Sequence, residues 1–153
     1  MVQDSMCGCP GSKMQDFRKK ESSSSEKTSR LGSELRQWPV QLHLVGPNAP
    51  YFENADLLIA ADCVPFASAN FHSDYLKDKA VVISCPKLDE TENYSDKIAE
   101  IIKTGNVKSV TVVHMEVPCC FGLQSIAEEA IQKSGKNLEL KQEIVSVQGE
   151  SQR

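Results

Sequence analysis

Asp56-Leu-Leu-Ile-Ala-Ala61 is the stretch that decides the fold. Five consecutive apolar residues behind one acid fit a strand covered on both faces, as in the middle of a parallel sheet. A half-exposed strand would alternate instead. The pattern returns at Ala80-Val-Val-Ile-Ser84 and at Ser109-Val-Thr-Val-Val-His-Met115. Between these runs lie stretches with helical spacing. Phe66 to Leu76 reads as a short helix. Asn93 to Lys103 carries Ile98, Ile101 and Ile102 on one face, with Gly105-Asn106 as its stop. Phe121 to Lys133 reads as another helix, stopped by Gly135. Leu138 to Val147 predicts a last strand and Val40 to Val45 a short first one. Strands parted by helices of this length imply right-handed crossovers. The expectation is an α/β fold, three-layered and doubly wound, with a mainly parallel sheet of four or five strands.

Working outward, the serine- and charge-rich residues 18–33 offer too little apolar surface to offset the entropy of ordering them. Residues 1–34 therefore read as a flexible N-terminal tail and linker, and 35–150 as an α/β domain that bears the remaining cysteines. With 40% apolar and 25% charged residues, the 153-residue chain has globular composition and room for a sizeable core. Its formal charge is −4, from 17 basic and 21 acidic residues, so no basic footprint for nucleic acid or an anionic membrane exists. The longest apolar run is far below the ~18 residues that suggest a membrane span. The opening Met-Val-Gln-Asp-Ser-Met lacks a basic region followed by an apolar one, so a cytoplasmic protein without a secretory leader is expected. There its six cysteines stay reduced.

Four of those cysteines fall just past predicted strands. Cys63 follows the first buried strand, Cys85 the second, and Cys119-Cys120 the third. In a parallel sheet these positions share one edge, the edge where open α/β sheets bind ligands. Neighbouring strands lie about 4.8 Å apart, so thiols from adjacent strand ends can surround one centre. Each thiol is beside a proline or one residue from it, in Cys63-Val-Pro65, Cys85-Pro86 and Pro118-Cys119. Proline ends the ladder and leaves irregular backbone whose amides can face sulfur. Cys119 and Cys120 also precede a helix, whose N-terminal dipole favours thiolate. Cys7 and Cys9 add a Cys-x-Cys in the tail, with Cys9 a further candidate ligand. Against this stands the ordinary role of a lone cysteine as a small core hydrophobe.

Other chemistry has weaker support. His114, near a strand end before Glu116, is placed to bind metal or move protons, but reads first as a satisfied edge histidine. Asp62, Asp89 and Glu116 lie near strand ends as supporting or acid–base candidates. A phosphatase-like role for Cys119 or Cys120 lacks the arginine that would hold phosphate, because the loop runs Cys-Cys-Phe-Gly-Leu-Gln-Ser-Ile. No G-x-G-x-x-G or G-x-x-x-x-G-K-[ST] follows a strand, which disfavours nucleotides. Zinc and an iron–sulfur cluster remain alternatives for a thiolate site.

The segments Gly8-Cys-Pro-Gly-Ser12, Ser33-Glu-Leu-Arg-Gln-Trp-Pro-Val-Gln-Leu-His-Leu44, Ala55-Asp-Leu-Leu-Ile-Ala-Ala-Asp-Cys63, Cys85-Pro-Lys-Leu-Asp89 and Met115-Glu-Val-Pro-Cys-Cys120 resemble a prokaryotic iron–sulfur family. Its members join an N-terminal ferredoxin-like module with 4Fe–4S motifs to a C-terminal α/β domain. The module's Cys-x-x-Cys-x-x-Cys-x-x-x-Cys-Pro runs do not occur here, and Phe121 stands where the family pattern leads one to expect glycine. The resemblance implies an iron–sulfur, electron-transfer setting. Cys63, Cys85, Cys119, Cys120 and Cys9 would then hold a 4Fe–4S cluster, with a redox protein such as a ferredoxin as partner. The alternative is a metal-free interaction domain on which a separate ferredoxin docks.

Overall fold

The computed structural model describes residues 10–18 and 31–152. A small antiparallel ribbon joins β1 (Gln15–Asp16) to β2 (Gln37–Trp38), and the Trp38 indole donates to the Gly11 carbonyl at 2.6 Å. Part of the expected tail thus lies along the domain, while Cys7, Cys9 and residues 19–30 fall outside the described residues. The main sheet comprises β3 (Asp56–Ala61), β4 (Ala80–Ser84), β5 (Ser109–Met115), β6 (Leu140–Val145) and β7 (Ser151–Gln152). Their order is β4-β3-β5-β6-β7, parallel throughout except for the terminal β7. The doubly wound, mainly parallel sheet read from the sequence is the architecture found.

Strand β3 lies inside the sheet, between β4 and β5, as a run apolar on both faces requires: Leu57, Leu58, Ile59 and Ala60 are all fully buried. The chain leaves it through α1 (Val64–Ala67) toward β4, then returns past it through α2 (Tyr94–Gly105) to β5, and continues through α3 (Phe121–Ser134) to β6. Right-handed crossovers place α1 on one face and α2 with α3 on the other, and α2 and α3 indeed pack together. Buried Ile98, Ile101 and Ile102 on α2 and Leu123, Ala127 and Ala130 on α3 supply the helix side of the core. Left-handed Asn106 and Gly135 end the two helices, as their sequence signals predict.

Two expected elements differ. Val40–Val45 contributes one parallel bridge at Gln41, because Leu44 and Val45 donate back to the Gln41 carbonyl and turn the chain away from Ile83. The helix expected over Phe66–Leu76 is split: α1 ends at extended Ser68, and His72–Leu76 forms one π-helical turn. The β4 edge is completed by a side chain. The buried Gln37 amide accepts from the Val81 N–H and donates to its carbonyl, both at 2.8 Å, as a neighbouring strand would. None of the described helices is long and apolar enough to cross a membrane.

Gln37→Leu is expected to destabilise the fold by about 2 kcal/mol or more, because it leaves both polar groups of Val81 buried and unpaired; urea denaturation measures it. Gly105→Ala tests the packing of α2. An alanine in an open helix is favourable by up to about 1 kcal/mol, but here its Cβ would sit 2.7 Å from the Phe52 carbonyl oxygen. A net loss of about 1–3 kcal/mol is expected from overpacking, and a gain in melting temperature would disprove that contact.

Candidate functional site

The connection leaving β3 goes toward β4, whereas that leaving β5 goes toward β6, so at their carboxyl ends two adjacent strands send their loops to opposite faces. Such a divergence opens a crevice. Cys63, exposed, begins the loop on one side, and its carbonyl accepts from the Phe66 and Ala67 N–H groups as α1 starts. Cys119 and Cys120 come from the other side, in a 3₁₀ turn over Pro118–Cys120 that runs directly into α3. Cys119 is exposed, whereas Cys120 is 6% exposed and belongs to the core.

The sequence expectation that these thiols share an edge agrees with this arrangement, and three of them are electrostatically close. Burial pushes the Cys120 thiol above its ordinary pKa of 9.0, a backbone hydrogen bond with Met115 works in the opposite direction, and the neighbouring Cys119 and Cys63 add to the rise. The half-buried Cys85 enters from the end of β4. Its loop reaches the same crevice, since Pro86 packs against Gly122 in the first turn of α3. Among the described residues, no set of three or more Cys, His, Asp or Glu side chains already stands as a metal-holding group. The donors are soft thiols on neighbouring loops, a chemistry that fits zinc or an iron–sulfur cluster.

Beside the thiols lies an oxygen cluster. The Cys85 N–H donates to Asp89 Oδ2 at 3.2 Å, and the Tyr94 hydroxyl donates to the same oxygen at 2.9 Å. Asp89 therefore fixes the loop bearing Cys85 against the start of α2. Burial, then the hydrogen bond to Asp89, raises the Tyr94 pKa. Burial and the charge of Asp89 raise that of Asp62, whose N–H donates to the Ser84 carbonyl. Asp62 Oδ1 and Ser84 Oγ are buried without a hydrogen-bond partner.

The chain matches the family model of a Rossmann-like domain over residues 49–152. The chain belongs to that family. An uncharacterized protein of Archaeoglobus fulgidus is 36% identical over 116 residues, spanning 76% of this chain and 81% of that protein. Neither match names a ferredoxin or a 4Fe–4S protein. No solved structure matches the chain significantly.

This Rossmann-like domain places its other candidates in supporting roles. His114 is fully buried; its Nδ1–H donates to the Met115 carbonyl at 2.8 Å, and Nε2 accepts from the Gln142 amide at 2.8 Å. Both ring nitrogens are thereby occupied, and Phe121 lies edge-on against the ring. Glu116 accepts from the Val147 N–H and the Gln152 amide, fixing the β6–β7 turn. His43 and His72 are exposed elsewhere. The Asp89–Tyr94 link escaped the sequence reading; its available signal was an acid four residues after Cys85, the spacing of a closed turn.

Alkylation mapped by mass spectrometry is expected to modify Cys63 and Cys119 first at pH 8, with Cys120 last. Only the unfolded chain ionises Cys120 near 9.0, so the stability contributed by its neutral, buried thiol is complete below that pH. It is lost as pH rises through the higher folded value. Equal labelling of all three thiols would contradict the burial of Cys120.

Proposed function

We propose that this chain binds a thiolate-held metal centre, by preference a 4Fe–4S cluster, and serves in electron transfer with a redox protein partner. The observation that carries the reading is the arrival of Cys63, Cys85 and Cys119-Cys120 from three successive loops at one crevice of the sheet. The resemblance to the iron–sulfur family points the same way, and zinc is the alternative occupant of the same donor set. Cys9 is a further ligand in this reading and lies outside the described residues.

Ligation requires the loops to bring the thiols together, since they do not already stand as a metal-holding group among the described residues, and the thiols to lose protons. Cys63 and Cys119 are accessible for this; Cys120 is the costly member, because burial favours its protonated form. Asp89, by holding the Cys85 loop, keeps that sulfur near the crevice without ligating anything itself.

A metal-free interaction domain is favoured by one observation, the place of Cys120 within the hydrophobic core. Anaerobic purification followed by iron, sulfide and zinc analysis separates the readings. Under the proposal, Cys85→Ser and Cys120→Ser each abolish most of the bound metal. Under the alternative, the protein is colourless and metal-free, and Cys120→Ser costs only about 1 kcal/mol of stability.

A further inference from the structure

Seven large apolar side chains are exposed among the described residues, and four of them stand at the carboxyl ends of the strands. Each comes from a different loop: Phe66 after β3 (92% exposed), Leu88 after β4 (83%), Phe121 after β5 (43%) and Val147 after β6 (62%). The loops touch. The 146–150 turn packs against α1, because any Cβ on Gly149 would strike the Ala67 carbonyl, and Pro86 rests on Gly122 beside Phe121. The apolar residues therefore form a collar around the crevice that holds the thiols. Exposed apolar groups concentrated in one region of a soluble surface mark a contact site.

Charge narrows what makes that contact. Residues 62–68, 85–93, 116–120 and 146–150 contain six carboxylates, among them exposed Glu90, Glu92 and Glu150, against the single basic residue Lys87. These loops thus carry a formal −5 while the whole chain carries −4, leaving the remainder at +1. The acidity is a property of this rim. We infer that the carboxyl rim docks a redox protein whose own contact face is basic around an apolar centre. An acidic partner face is repelled there. Opposite charge speeds encounter and orients it, and the small apolar collar supplies contact without permanent association. The redox character of the partner rests on the proposed thiolate centre; its charge and the place where it docks do not.

Ferrous cytochrome c, a basic one-electron protein with an exposed haem edge, is the probe. Titrated into the isotope-labelled protein at about 10 mM salt, where the screening length is ~30 Å, it is expected to shift the amide signals of these four loops. Binding should weaken at least about tenfold at ~0.3 M salt. Phe66→Ser with Leu88→Ser, and separately Glu90→Lys with Glu92→Lys, should weaken it by a similar factor. Succinylated cytochrome c, with its lysine charges reversed, should not bind. Shifts on another face, no shifts, equal binding of the succinylated protein, or a dimer that buries the collar would each overturn the inference. Docking by a protein that iron, sulfide and zinc analysis shows to be metal-free would leave the rim and its charge complement standing and remove only the redox character of the partner, whereas a metal-loaded protein with no shifts at the rim would overturn the docking and leave the thiolate centre.

Discussion

A strand hydrogen-bonded along both edges and covered on both faces has no contact with water, and β3 occupies that position. The apolar run Leu57 to Ala61 suits it, since a polar side chain there is costly unless it finds a partner, as the buried His114 does in β5. Its two neighbours in the sheet are β4 and β5, and with the chain passing from β3 to β4 and from β5 to β6, right-handed crossovers send the loops leaving β3 and β5 to opposite faces. The crevice follows from that parting. Cys63 and Cys119-Cys120 inherit their positions from the burial requirement of residues that never touch them.

The thiols in the crevice do not share one environment. Cys120 sits where a small hydrophobe is useful, and its raised pKa is the electrostatic expression of that burial. Cys63 and Cys119 are exposed, so packing gives no account of them. A core role therefore covers one thiol, and a role requiring access to sulfur covers the other two. In the proposed thiolate centre, ligation would have to remove the proton that burial favours on Cys120, while the exposed Cys63 and Cys119 meet no such cost.

Strands β3, β4 and β5 were legible in the sequence because they are largely buried and read as apolar stretches, and β6 through its apolar end at Ile144 and Val145, whereas the two exposed residues of β7 carry no such signal. Helices α2 and α3 were legible through their apolar spacing and their left-handed stops at Asn106 and Gly135. The failures have local causes. Pro65 starts α1 as a first-turn proline can, but the chain becomes extended at Ser68 after a single turn, so apolar Phe66 and Phe71 suggest a helix the backbone does not complete. At the β4 edge the partner of Val81 is the Gln37 side chain, a substitution for a strand that no periodicity reveals. The common edge of the cysteines could be read from strand ends alone. Their different burial could not, since it depends on how the Pro118–Cys120 turn seats one sulfur inward and leaves its neighbour outside.

Glu116 and Asp89 show why acids at strand ends are poor indicators of chemistry when considered singly. Each has the position of an acid–base group, yet Glu116 binds the β6–β7 turn and Asp89 binds a backbone N–H and a tyrosine. Both carboxylates are spent on holding loops. Asp62 differs, because one of its oxygens is buried without a partner and burial works against its charge. It follows Ala61 at the end of the central strand and precedes Cys63, so the same parting of loops that opens the crevice leaves this carboxylate poorly solvated at its floor. The acids that remain exposed, Glu90, Glu92 and Glu150, have no loop to hold. Their charge is therefore turned outward, where screening by salt is the main limit on what it can attract.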